Sequence, residues 1–361
     1  MRVGLIGGIY GKDEAFRKGL QVTPETILEL GLRAQGHQVK TLSHYETIHA
    51  EDLDVVHVHH LSYGAIRMAT DRHNVPFVYT SHDPLAMSGL LSLSRTQAAR
   101  LVFSRADAVV ALSESEARFQ RRDYPLRGAV HAVIPNGILT EQYRYGRKNS
   151  AGEGRPWQLL FVGQLSEQKR VDVLLRALAS LGERVELSLV YHTRVLESSL
   201  KELAGKLRLT DRVRFLGSRP PQELNDLYQA SDLFVLPSAG EALPSVITEA
   251  MVCGTPVVAT DVGGIREQLG EFGMVVAPGS VEKLAAAIQH VLDKYAEFGS
   301  RGEAMSRYAR ESFSPEAMVR RHLDLYEALI DQGTPRRRQS ISRVPLNVML
   351  RMGVNLLCPT K

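Results

Sequence analysis

The strongest constraint in this chain is an alternation. Short runs rich in Val, Ile and Leu ("RVGLIGG", "QVKTLS", "DVVHVHH", "FVYTSH", "AVVALS" and "HAVIPN") follow one another with helical stretches between them. Strands separated by helices pair in parallel, and a parallel sheet covered on both faces calls for near-continuous apolar strands of this kind. The segment "TPETILELGLRAQG" is signalled at both ends: Thr23 is a good N-cap, Pro24 suits the first helical position and Gly36 stops the helix. A second series then begins with "WQLLFVG", "VELSLVY", "RVRFLG", "DLFVLP", "TPVVAT" and "GMVVAP", with "RVDVLLRALASL" and "PQELNDLYQA" as helices among them. The pattern predicts an α/β protein of two Rossmann-like domains, with ligands bound beyond the carboxyl ends of the strands and the two parallel sheets facing a central cleft.

Between the two series, "YRYGRKNSAGEGRP" is polar, rich in glycine and without periodicity, as a linker is. The expected organisation is one Rossmann-like domain over 1–145, a linker over 146–156, a second such domain over 157–313, a helix over 314–332 and a basic amphipathic tail over 333–361. The helix would start at Ser314 as N-cap and pack its stripe of Met318, Leu325 and Leu329 on a domain.

Composition narrows the class. With 361 residues, 44% of them hydrophobic, the chain can bury a core of two-domain size. No apolar run reaches about 18 residues, and the N-terminus is too short and Gly-rich for a signal-peptide core, so a cytosolic protein is expected. Cys253 and Cys358 are too few for a disulfide framework or a structural zinc site. Arg336, Arg337, Arg338, Arg343, Arg351 and Lys361 all follow Asp331, where no acid occurs; the net charge of +4 less these six leaves −2 for the rest. That asymmetry speaks against a nucleic-acid groove. It leaves two readings of the tail, a contact with an anionic membrane surface or a strap or disordered end.

The stretch with the most chemistry is "SAGEALPSVITEAMVCGTPVVATDVGG", Ser238 to Gly264. Pro244 and Ser245 start a helix that Gly254 ends, which puts Glu241 in the loop before it and Glu249 about one turn in. Fully helical spacing would hold the two roughly 12 Å apart, too far to share a proton. Such a pair suits the two ends of one long ligand, with the helix start offering N–H groups to an anion between them. A nucleoside diphosphate sugar has that shape.

This stretch closely resembles the donor-site signature of the family-4 retaining glycosyltransferases, which have the GT-B fold. The resemblance continues through "LLFVGQLSEQKRVDVLLRAL", "RVRFLGSRPPQELNDLYQASDLFVLPS", "HAVIPNGI", "ADAVVALSESEARF" and "DVVHVHH" and covers most of residues 1–330, without the tail. It implies that Glu249 takes the ribose hydroxyls and Glu241 sits beside the donor hexose, with Ala242, Leu243 and Ser245 against sugar and phosphates. Lys169 matches the diphosphate-binding lysine, a sensible place for a cation because the leaving group gains negative charge. Gln164 stands where the family usually has arginine, so one expected cation is missing, with Arg170 nearby as a substitute. Gly217, Ser218 and Arg219 would lie near the base. Gly19 matches a phosphate-approaching glycine of the first domain, with Gly7 and Gly8 as rivals, and His82 matches a histidine facing the donor sugar, for which a core histidine is the alternative.

The resemblance implies hexose transfer from a nucleotide diphosphate sugar to an acceptor hydroxyl with retention, without metal or further cofactor. His82, Lys169 and Glu241 would be the residues at the chemistry. His57, His59 and His60 suggest a metal, but no carboxylate or cysteine accompanies them at ligand spacing. "DLD" at Asp52 to Asp54 reads as a turn. Two other readings stay open: a non-catalytic nucleotide-sugar-binding homologue, which Gln164 favours, and a nucleotide-sugar epimerase of the same fold. Lys12, Arg17 and Lys18 could meet an anionic or lipid-linked acceptor. Nucleotide, sugar and acceptor are not legible.

Overall fold

The computed structural model describes residues 1–11, 23–43, 52–71, 73–82, 92–146 and 154–332. Gly19, the cationic residues Lys12, Arg17 and Lys18, and the basic tail lie outside them. No helix among the described residues is long and apolar enough to cross a membrane.

All twelve apolar segments form strands, in two parallel six-stranded sheets. The first sheet contains β1 (Arg2–Ile6), β2 (Gln38–Leu42), β3 (Val55–His59), β4 (Phe77–Thr80), β5 (Ala108–Ala111) and β6 (Val130–Val133), in the order β2-β1-β3-β4-β5-β6. The second contains β7 (Trp157–Val162), β8 (Val185–Val190), β9 (Val213–Gly217), β10 (Leu233–Leu236), β11 (Val257–Thr260) and β12 (Met274–Val276), in the order β12-β11-β10-β7-β8-β9. Every residue of β3, β4, β5, β10 and β11 is buried, as strands covered on both faces require, and the only polar side chains among them are buried His57 and His59 of β3 and threonines at the ends of β4 and β11. The strand order reverses between β1 and β3 in one sheet and between β7 and β10 in the other. At such points the loops on neighbouring strands part and leave room for a ligand.

The chain divides into two compact units, Met1–Gly137 with the helix from Pro315, and Ile138–Ser314. The passage between them comes earlier than the linker expected at 146–156, because the polar segment before it is tied into the second unit. The Ile138 N–H donates to the Phe313 carbonyl, the Arg144 N–H to Asn225 Oδ1 at 2.8 Å, and the Arg310 guanidinium to the carbonyls of Thr140 and Tyr143.

Local signals act as chemistry dictates in the helix Pro24–Ala34. Thr23 accepts from the Thr26 N–H, and Gly36, at φ +83°, turns the chain out so that the His37 N–H reaches the Leu32 carbonyl. The last helix, Pro315–Asp331, belongs to the first unit, with Met318, Leu325 and Leu329 buried as the stripe requires. It meets Pro24–Ala34 where Gly31 faces Val319, and a Cβ on Gly31 would lie 2.3 Å from Val319 Cγ2.

That contact makes a prediction. Gly31→Ala gains about 1 kcal/mol of helix propensity but overpacks a branched neighbour that cannot rotate away, at a cost of about 1–3 kcal/mol. Urea denaturation is expected to show a lower midpoint for Gly31→Ala alone and a higher one when Val319→Ala is also present. Destabilisation of equal size in both backgrounds would contradict this packing.

Candidate functional site

The reversal between β7 and β10 places two loops side by side, one after Val162 and one after Leu236. Hydrogen bonds join them. The Ala239 N–H donates to the Gln168 carbonyl at 2.7 Å, and Gln168 Nε2 returns a bond to the Gly240 carbonyl at 2.6 Å. Next to them Lys169 Nζ lies 2.5 Å from Glu241 Oε1, which also accepts from Ser238 Oγ at 2.6 Å. Thr260, at the end of β11, donates to the Ser238 carbonyl. Glu241 is 9% exposed and the Lys169 side chain 17%, so the pair sits in a poorly hydrated place where charge attraction is strong.

The turn after β11 closes on the same loop. Gly263 has φ +56°, and a Cβ there would lie 1.8 Å from the Glu241 carbonyl oxygen, so no other residue fits without moving the loop. The Gly264 N–H then donates to the Ala242 carbonyl at 2.9 Å. Buried Gln268 reaches the Pro244 carbonyl at 2.9 Å and Thr248 Oγ1 at 2.7 Å, which fixes the start of the helix Ser245–Val252. Pro244 is the N-cap and supplies no side-chain bond; the Ile247 N–H turns back to the Pro244 carbonyl, and those of Ser245 and Val246 are left for solvent or a ligand.

Glu249 lies inward on that helix, 8% exposed, with the Tyr228 hydroxyl 2.9 Å from Oε2 and the hydroxyls of Tyr143 and Ser245 also donating to it. Burial pushes its carboxyl above the ordinary value, against those three hydrogen bonds. The two glutamates therefore differ in kind: Glu241 faces a cation, and Glu249 is surrounded by neutral hydroxyls.

The other expected residues are spread around this centre. Gln164 is exposed just beyond β7. Arg170, in a left-handed conformation at φ +48°, holds Asp172 through Nε and Nη2 at 3.1 and 3.2 Å and is thus engaged beside its own helix. Gly217 ends edge strand β9 at φ +69°, followed by exposed Ser218 and by Arg219, which faces Glu223 at 3.4 Å. These three share the carboxyl end of the sheet with Lys169 and Glu241 but sit on a different loop. Ala242 is half-buried, Leu243 buried and Ser245 exposed. Sequence reasoning did not single out Gln168, Ser238, Tyr143, Tyr228 or Gln268; only the Gly263–Gly264 pair was a visible signal.

In the first unit, His82 follows β4 at φ +47°, with Nε2 3.0 Å from His59 Nδ1. Burial pushes its imidazole down to about 3, and burial likewise lowers His59. His57 is a satisfied core histidine, with Tyr326 Oη at 2.7 Å and Thr80 Oγ1 at 2.8 Å. The histidines do have a carboxylate, contrary to the expectation from spacing. Glu25 comes from the first turn of Pro24–Ala34, with His60 Nε2 2.8 Å from its Oε1. Burial alone would raise Glu25, but the His60 hydrogen bond and the neighbouring imidazoles hold it well below the carboxylate range.

The environment of Glu249 has a measurable consequence. A carboxyl raised by the fold binds more protons folded than unfolded, so its ionisation lowers stability as pH rises from its ordinary value of 4.5. Glu249→Gln is expected to melt above the wild type at about pH 8, with an advantage that shrinks on acidification toward 4.5. An advantage that is absent at alkaline pH, or independent of pH, would contradict the buried-charge account.

Comparison with known proteins bears on the family and the fold. Residues 146–312 match the family model described as Glycosyl transferases group 1, and residues 39–142 match Glycosyltransferase Family 4. A D-inositol 3-phosphate glycosyltransferase of Mycobacterium marinum is 32% identical over 331 residues, covering 83% of this chain and 70% of that protein. One from Rhodococcus opacus is 33% identical over 294 residues, covering 73% of this chain and 64% of its own length. The chain thus spans between 64% and 70% of these two relatives. Among solved structures, sucrose-phosphate synthase from Thermosynechococcus elongatus superposes with a TM-score of 0.76 at 20% identity, over 92% of this chain and 100% of that one. An Anabaena protein, HepE, solved in complex with UDP gives 0.72 at 21%, over 91% and 100%. These neighbours show the fold to be GT-B. With both halves matched by these family models and a relative 32% identical over 70% of its length, the chain belongs to the group 1, family 4 glycosyltransferases.

Proposed function

We propose that this protein transfers a hexose from a nucleoside diphosphate sugar to an acceptor hydroxyl with retention of configuration. The observation that carries this reading is the joined loop pair, in which Lys169 and Glu241 meet at 2.5 Å beside the open start of the helix Ser245–Val252. A diphosphate placed there would find an ammonium and free N–H groups together, and both favour the charge that builds on the leaving group. Glu249, one helical turn on, would exchange its Tyr228 and Tyr143 partners for ribose hydroxyls. Glu241, relieved of part of its hold on Lys169 by the arriving phosphate, would turn to the hexose. No metal ion is needed on the diphosphate in this scheme. The relatives named for inositol 3-phosphate make it the first acceptor to try.

The test follows a set of UDP- and GDP-hexoses with inositol 3-phosphate by NMR of the anomeric proton. An α-linked product from an α-linked donor is expected, with Lys169→Ala lowering kcat on the order of 10²–10³-fold. UDP or GDP binding should be unaffected by magnesium or chelator. A β-linked product would overturn retention. Tight nucleotide binding without transfer to any acceptor or to water would favour the binding-protein reading that Gln164 supports.

A further inference from the structure

We propose that Glu25, His59 and His82 form a binding site for one divalent transition-metal cation of the zinc type. The three residues come from three elements at the other strand-order reversal, between β1 and β3: the first turn of Pro24–Ala34, the end of β3 and the segment after β4. One ligand atom from each lies within 4.8 Å of the other two. His59 Nδ1 and His82 Nε2 are 3.0 Å apart. Tetrahedral ligands about 2.0–2.1 Å from a zinc ion stand roughly 3.4 Å from one another, so only small side-chain adjustments separate this cluster from a coordinating one.

Two further observations point the same way. His60 and His82 both adopt left-handed backbone, at φ +67° and +47°, a strained state for side-chain-bearing residues that gathers at functional sites. His60 also donates to Glu25 Oε1, the outer bond that commonly orients a ligating carboxylate, and so leaves Oε2 to the metal.

Two imidazoles and a carboxylate suit zinc, cobalt or nickel rather than magnesium or calcium, which prefer oxygen throughout. Three protein ligands leave positions for water or for a hydroxyl from a bound ligand. His57 is excluded because both its nitrogens are engaged. The site lies wholly in the first unit and does not rest on the nucleotide-sugar reading.

The test titrates the chelator-stripped full-length protein with CoCl2, read by visible d–d absorption and back-titrated with ZnCl2. One equivalent should bind. Glu25→Gln and His59→Ala should each weaken binding at least tenfold, and His60→Ala about 10–100-fold through the outer bond. His192→Ala, at an exposed histidine, should change nothing. Absence of a zinc-displaceable cobalt band in the wild type would overturn the proposal whether or not the variants fold. So would a band that survives both Glu25→Gln and His59→Ala.

Discussion

The organisation of the second unit's site depends on one close approach, that of Gly263 to the main chain of Glu241. A side chain at 263 would collide with the Glu241 carbonyl oxygen at 1.8 Å, so the turn after β11 can lie flat on the loop after β10 only with glycine there. Because it lies flat, Gly264 can reach the Ala242 carbonyl, and Gln268 from the following helix can hold Pro244. On the far side, Gln168 holds Ala239 and Gly240. The loop is thus fixed from both flanks, and the carboxylate and the helix start it carries are presented in one geometry before any ligand arrives. Preorganisation of this kind is how a binding site avoids spending affinity on ordering its own loops.

Two carboxylates with opposite environments follow from that frame. Glu241 shares its charge with Lys169 and Ser238; Glu249 is buried among phenols and a serine, where ionisation is costly. A buried carboxyl whose ionisation weakens the fold is the kind of group kept for binding rather than for stability. The Lys169–Glu241 pair carries a related implication. Breaking a buried pair is expensive unless a new partner replaces the lost one, and an incoming diphosphate offers the replacement to the lysine.

Much of this was legible in the chain. The strands stood out because parallel strands covered on both faces are short, near-continuous runs of Val, Ile and Leu separated by longer amphipathic segments. The helix Pro24–Ala34 could be bounded to within a residue because Thr23, Pro24 and Gly36 each act locally. The loop with Glu241 and Glu249 was visible through a family signature. What escaped was non-local. Nothing in "NDLYQ" says that the Tyr228 hydroxyl will reach Glu249, nor in "TPET" that Glu25 will meet histidines more than thirty residues away. The domain boundary was misplaced for the same reason, since "YRYG" looks like linker until Arg310 and Asn225 are brought to it by the fold.

The most direct test of the central claim is a crystal structure of the protein with a bound UDP- or GDP-hexose. The account predicts ribose hydroxyls on Glu249, the diphosphate between Lys169 Nζ and the first N–H groups of Ser245–Val252, and the hexose beside Glu241. A nucleotide bound elsewhere, or bound with the Lys169–Glu241 and Tyr228–Glu249 contacts intact and unshared, would contradict it.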